Sequence, residues 1–278
     1  AAEEALRAIF SDDGGDPGGP KVVIEERLEG REASVIALCD GRDALALPAA
    51  RDHKRLLDGD GGPNTGGMGA YSPLPDLPDG AVEQIVATVH RPLLGELARR
   101  GTPFRGALYA GLMLTADGPE LLECNARFGD PEAQVILPRI GVALGPLLLA
   151  AARGELASAA RALGLGAALV PAVPGAAVGI VLASTGYPER PRTGLPIAGL
   201  EAARDGGLVF HAGTSRDPDG TWRTKGGRVL TVVGEGPDLA AARAAAERAA
   251  DAIQFEGSVR RHDIAAHLPE PALAGATR

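Results

Sequence analysis

The stretch Leu121–Gln134, LLECNARFGDPEAQ, constrains this chain more than any other. Its first half alternates. Leu122, Cys124, Ala126 and Phe128 fall on one side, and Glu123, Asn125 and Arg127 on the other. Strand side chains have a period of two, so the pattern predicts a strand over Glu120–Phe128 with one face on a core and a polar face directed elsewhere. The polar row spaces a carboxylate, an amide oxygen and a guanidinium two residues apart on a rigid element. Magnesium takes hard oxygen ligands, only one or two of them from protein where substrate phosphates supply the rest. Arginine grips phosphate or carboxylate with two parallel bonds. A solvated polar row is the plain alternative. The row, however, runs into Gly129-Asp130-Pro131-Glu132, a tight turn with two more carboxylates, and that crowding points to a site.

The surrounding chain reads as α+β. Ala1–Phe10 is helix-like, and Ser11–Pro20 is a turn or loop. Lys21–Leu28, Ala33–Cys39 and Ala44–Ala49 read as three strands of an antiparallel meander, the last two joined at Asp40-Gly41. Arg51–Pro73 has no apolar period and reads as a long glycine-rich loop, whose backbone amides could approach a ligand closely or which could be a contact-free lid. It matches neither common nucleotide loop. Asp52-His53-Lys54 ahead of it brings acid, imidazole and ammonium together. Asp79–Arg100 is an amphipathic helix that Pro92 should kink, and Gly106–Thr115 is the strand preceding the alternating row across an Asp117-Gly118 turn. That hairpin should bury the Leu122/Cys124 face and present Glu123 and Asn125 to a cleft. Val135–Gly154 reads as an interrupted apolar helix. A Pro-containing connector at Leu165–Gly175 suggests a boundary, with units 1–168 and 169–270. Strands at Ala177–Ser184, Leu208–Ala212 and Arg228–Val233 follow, then one helix, Leu239–Ile253, capped by Asp238.

Composition excludes some functions. The 278 residues carry a net charge of −8, and only Lys21, Lys54 and Lys225 are lysines, so a general nucleic-acid surface is not expected. Cys39 and Cys124 sit in apolar runs and read as buried thiols, and the histidines show no ligand spacing. The longest apolar run, Ile140–Ala152, is too short to span a bilayer, so no membrane partner is expected and a cytoplasmic location is the default.

GGPNTGGMGAYSP, RFGDPE and ECN together resemble the phosphoribosylamine–glycine ligase family of ATP-grasp enzymes, as do VIEERLEGREAS, RDHKR, GYPERPRTG, FHAGT and GGRVL. The resemblance implies an α+β fold: the C-terminal lobe of an ATP-grasp domain followed by a small α+β domain. It implies that ATP activates glycine as glycyl phosphate and that 5-phosphoribosylamine attacks it. Glu123 and Asn125 match ligands for Mg2+ or Mn2+. Glu25 and Leu28 match the adenine hinge, and Glu32 an acid facing ribose. Arg127 would hold phosphate or the acyl phosphate, and Asp130, the second catalytic residue, would help shape the glycine and phosphoribosylamine pocket. Asp52, His53, Lys54, Asn64, Thr65, Gly66, Gly67, Met68, Gly69 and Glu132 would shape the substrate pocket. Strand Gly106–Thr115 carries no acid, so a further acidic metal ligand is not supplied there. The family places an N-terminal domain and a lysine-bearing first lobe ahead of the hinge. Only Lys21 precedes it here, so the chain is expected to need a missing N-terminal segment. A different ATP-grasp carboxylate–amine ligase and an inactive nucleotide-binding remnant are the alternatives.

Overall fold

The computed structural model describes residues 22–270 except 167, and residues 3, 6, 7 and 10 ahead of them. Those four are helical; the rest of the expected Ala1–Phe10 helix, the Ser11–Pro20 loop and Lys21 lie outside the described residues. Residues 22–29 form no strand, and the expected first strand of the meander is absent there. Val23 and Ile24 are largely solvent-exposed, so this apolar run finds no sheet to join.

Strands β1 (Arg31–Asp40) and β2 (Ala44–Ala46) form the expected hairpin. The supposed loop is instead structured: β3 (Arg51–Asp52), β4 (Arg55–Leu57), a 3-10 turn at Asp58–Asp60, β5 (Gly61–Asn64) and β6 (Gly69–Ser72). Strands this short carry no legible period; β4 and β5 pair with each other, β3 with β6, and β6 with remote β9, which satisfies their backbone. The long amphipathic segment is helix α1 (Ala81–Ile85), a π-helical turn (Val86–His90) and α2 (Arg91–Arg99). The interruption immediately precedes Pro92, whose missing N–H and ring do not fit a continuous α-helix. Ile85, Val86 and Leu94 on its inner face are fully buried, worth about 2 kcal/mol each.

Strands β7 (Arg105–Thr115) and β8 (Gly118–Asn125) complete a four-stranded antiparallel sheet in the order β2-β1-β7-β8. Helices α3 (Glu132–Ile136), α4 (Leu144–Arg153) and α5 (Leu156–Ala162) follow. The sheet's two faces differ. Ala33, Val35, Ala37 and Cys39 join the core that holds Ile85, Val86 and Leu94. Ile36, Leu38 and Tyr109 point the other way, into a core with Val135, Ile136 and Leu147.

The second part contains β9 (Ala176–Ala183), β10 (Pro196–Ile197), α6 (Leu200–Gly206), β11 (Leu208–His211), β12 (Thr214–Arg216), β13 (Trp222–Thr224), β14 (Arg228–Gly236) and α7 (Leu239–Ala252). It thus has two helices rather than one. The Asp238 side chain caps α7 by accepting from the Ala241 N–H at 2.8 Å. A five-stranded sheet runs β11-β14-β9-β6-β3, so strands from both sides of position 168 share it. The connector is packed as well: Val170 is buried and Leu169 bridges to Ala46. No described helix is long and apolar enough to cross a membrane.

Candidate functional site

Residues paired directly across an antiparallel ladder share a face. Glu32 pairs with Met113 and Ser34 with Gly111 across β1 and β7, while Tyr109 pairs with Asn125 and Gly111 with Glu123 across β7 and β8. Glu32, Ser34, Tyr109, Glu123 and Asn125 therefore occupy one face of the sheet. Gly111 leaves the room: a Cβ there would lie 3.1 Å from Glu123 Cγ and 3.2 Å from the Tyr109 ring. Asn125 Nδ2 donates to Glu123 Oε1 at 3.1 Å, so the carboxylate and the amide stand side by side.

The opposite expectation for this strand fails. Leu122 and Cys124 are exposed, so no apolar face of β8 is buried. The strand is a sheet edge, and the register shifts between Gly111 and Leu112, leaving Leu122 without a partner. A bulge of this kind breaks the period-two pattern on which the expectation rested. Cys39 alone matches the buried-thiol reading, its pKa pushed up to about 12 by burial and then by the Asp40 charge.

Farther along this face lies a cavity of about 590 Å³, lined by Glu32, Asp52, His53, Lys54, Asn64, Tyr71 and Met113 among others. Lys54 Nζ is paired with Glu32 and lies 3.4 Å from Asp52 Oδ1. Burial works against this ammonium, but Asp52, Glu32 and Glu132 outweigh it and hold its pKa above the ordinary value. Asp52 is pushed up to about 6, first by burial and then by the Glu132 charge. Burial, followed by the Arg261 charge, lowers His53 to about 4, so it is a neutral imidazole.

Glu132 is 3% exposed and accepts from Ser34 Oγ at 3.1 Å, and Ser34 Oγ is 2.9 Å from the Tyr109 hydroxyl. Gly129 permits this placement, because a Cβ there would sit 2.7 Å from the Glu132 carboxyl carbon. Arg51 also lines the cavity. It holds Asp76 through both carboxylate oxygens, at 3.0 and 2.9 Å, and donates to the Tyr71 hydroxyl and the Glu32 carbonyl. Sequence reading missed Ser34, Tyr109, Arg51 and Asp76. Only their partners, remote in the chain, reveal them.

Residues 65–68 of the glycine-rich segment do not offer free amides. Thr65 N–H goes to the Lys54 carbonyl, Gly66 N–H to the Tyr187 hydroxyl, Gly67 N–H to Thr65 Oγ1 and Met68 N–H to the His53 carbonyl. Met68 is fully buried beside Val181 and Ala183, and a Cβ at Gly69 would meet the Gly179 carbonyl at 2.6 Å. These residues serve close packing, with Asn64 alone of the six bordering the cavity.

The remaining expected residues stand outside the cavity. Glu25 is exposed, Leu28 is half-buried, and neither borders it. Exposed Arg127 donates to the Phe128 carbonyl at 2.9 Å, and Asp130 accepts from Gln134 Nε2 at 2.9 Å. No cluster of three or more His, Cys, Asp or Glu suited to a metal occurs among the described residues.

Residues 1–133 match the family model for the ATP-grasp (A) domain of phosphoribosylglycinamide synthetase, and residues 177–267 match its C domain. A phosphoribosylamine–glycine ligase of Leifsonia xyli is 49% identical over 248 residues, covering 88% of this chain and 58% of that protein. The trifunctional purine biosynthetic protein adenosine-3 of Gallus gallus is 46% identical over 94% of this chain and 26% of its own length. Among solved structures, the phosphoribosylamine–glycine ligase of Thermotoga maritima aligns with a TM-score of 0.79 at 38% identity, over 94% of this chain and 62% of that one. A biotin carboxylase domain, 19% identical with a TM-score of 0.54 over 86% of this chain and 51% of that one, shares the fold. The chain thus spans less than two thirds of the length of these ligases. Two domain models of one family in the family's order, on an α+β ATP-grasp framework, place the chain in the phosphoribosylglycinamide synthetase family.

Proposed function

We propose that this chain serves the ATP-dependent ligation of glycine to 5-phosphoribosylamine. The observation that carries the reading is the single sheet face shared by Glu32, Ser34, Tyr109, Glu123 and Asn125, in a chain of this family. In the proposed reaction ATP phosphorylates the glycine carboxylate, giving glycyl phosphate and ADP. The amine nitrogen of 5-phosphoribosylamine then bonds to the acyl carbon, and phosphate leaves with the electron pair of the broken C–O bond. The amine proton is released.

Glu123 and Asn125, joined through Asn125 Nδ2 and Glu123 Oε1, would hold Mg2+ or Mn2+ through one carboxylate and one amide oxygen, the one or two protein ligands such an ion takes when phosphates supply the rest. The ion would offset charge on the transferred phosphoryl group. Lys54, kept charged by its acidic neighbours, would face anionic substrate groups in the cavity. Arg127 would grip phosphate, and Asp130 and Glu132 would bound the acceptor pocket. Glu25 and Leu28 would meet adenine. Glu32 would face ribose with the oxygen that Lys54 does not use. We assign nucleotide chemistry to 1–168 and site completion to 169–270, a division of function and not of sheets.

The test uses the full-length protein carrying this chain. ADP release should require both glycine and 5-phosphoribosylamine, and Glu123→Ala should stop it with the circular dichroism unchanged. A variant that turns over normally would refute the metal assignment. Release that ignores either substrate would refute the ligase reading.

A further inference from the structure

Two segments whose sequence resembles the family, GYPERPRTG and GGRVL, carry no role in the reading above, yet both reach the glycine-rich segment. Tyr187, from the first, accepts the Gly66 N–H at 3.0 Å. Arg228, from the second and at the start of β14, donates through Nη1 to the Gly66 carbonyl at 2.6 Å and the Asp130 carbonyl at 2.7 Å. Its Nη2 lies 3.4 Å from Asp130 Oδ2. The glycines around these contacts make them possible. A Cβ at Gly66 would stand 3.1 Å from the Arg228 guanidinium, one at Gly227 would stand 2.2 Å from the Tyr187 ring, and one at Gly67 would stand 2.5 Å from Pro131 Cδ.

The contacts continue into the cavity. Thr65, next to the clamped peptide, holds the Lys54 carbonyl through both its N–H and its hydroxyl, each at 2.8 Å. The turn gripped at Asp130 leads within two residues to buried Glu132, which acts electrostatically on Asp52 and Lys54. A guanidinium can serve several carbonyls in a fixed fork, which an ammonium or an amide cannot reproduce.

We propose that Tyr187 and Arg228 are positioning residues of the candidate site: together they clamp the Gly66–Gly67 peptide to the Asp130 turn and thereby set where Lys54 and Glu132 stand. The second domain acts on the chemistry without touching substrate. The kinetic part of this proposal rests on the ligase reading.

The experiment compares full-length wild type with Tyr187→Phe, Arg228→Lys, Arg228→Gln and the Tyr187→Phe/Arg228→Gln double variant. Because Tyr187→Phe removes one oxygen and keeps the ring on Gly227, it guards against outright misfolding. Arg228→Gln should lower kcat about 10- to 100-fold with KM for ATP changed less than about twofold, since misplacement costs rate more than nucleotide affinity. Arg228→Lys should recover part of the loss, and the double variant should lose less than the product of the single losses, as expected for parts of one unit. Hydrogen exchange without substrates should quicken at residues 65–68 and at the amides of Asp130, Glu132 and Ala133 in Arg228→Gln. Unchanged exchange at those three amides overturns the clamp whatever the turnover, and so does wild-type kcat with a lowered melting temperature. Wild type that releases no ADP in response to glycine and 5-phosphoribosylamine overturns the ligase reading instead.

Discussion

The Asn64–Gly69 segment and the Glu123–Arg127 row look equally ready for a ligand in sequence, and the fold treats them in opposite ways. In the first, the N–H groups of residues 65–68 are all taken by the chain itself, and the space beside Gly66, Gly67 and Gly69 is filled by neighbouring atoms. In the second, Glu123 and Asn125 stand on a sheet edge and are bonded to each other, while exposed Arg127, past the end of β8, donates to the adjacent carbonyl. Glycine allows close approach, but it does not say whether the approaching group is a ligand or the protein. The acid–amide pair on the edge, on the same sheet face as Glu32 but outside the cavity lining, is the part we propose for a ligand.

The largest expected effect falls on the exposed row. Glu123→Ala should cut turnover of the full-length protein by on the order of 100-fold or more, with urea unfolding of the variant close to wild type. A large stability loss would mean that the row is structural and erase the contrast. Gly67→Ala should do the reverse, costing about 2–4 kcal/mol in urea unfolding, because the residue has φ near 107° and its Cβ would overlap Pro131. If that variant is stable but inactive, the glycine serves a ligand after all.

Asp52, on the strand that leads into the same segment, sharpens the comparison through pH. Its folded pKa of about 6 lies above the ordinary 3.8, so the unfolded chain gives up this proton first. Stability should therefore fall as pH rises from about 4 to about 6 and stay at the lower level above that range. Asp52→Asn should remove the slope and raise stability at pH 7, read from unfolding at several pH values. An unchanged slope would show that Asp52 is not the group responsible. The smallest effect is at Cys124. Being exposed, Cys124→Ser should change stability by less than about 0.5 kcal/mol, and iodoacetamide should label Cys124 but not Cys39 in the folded protein.

Wherever neighbours in the chain decide structure, the sequence was sufficient. It determined the β1–β2 and β7–β8 hairpins, the interrupted helix at Pro92, the Asp238 cap, the α+β class and the pairing of Glu123 with Asn125 on one strand face. These follow from period, turn chemistry and backbone sterics over a few residues. Only the tertiary structure decided that β8 is a bulged edge with Leu122 and Cys124 exposed, and that within residues 51–72 β3 and β6 join the sheet of β9 while β4 and β5 pair with each other. It also decided that Ser34, Glu132 and Tyr109 meet, and that Tyr187 and Arg228 hold Gly66. The reason is physical: a hydrogen bond or a filled Cβ position depends on which atoms come within a few ångströms, and here those atoms lie as many as 162 residues apart in the chain.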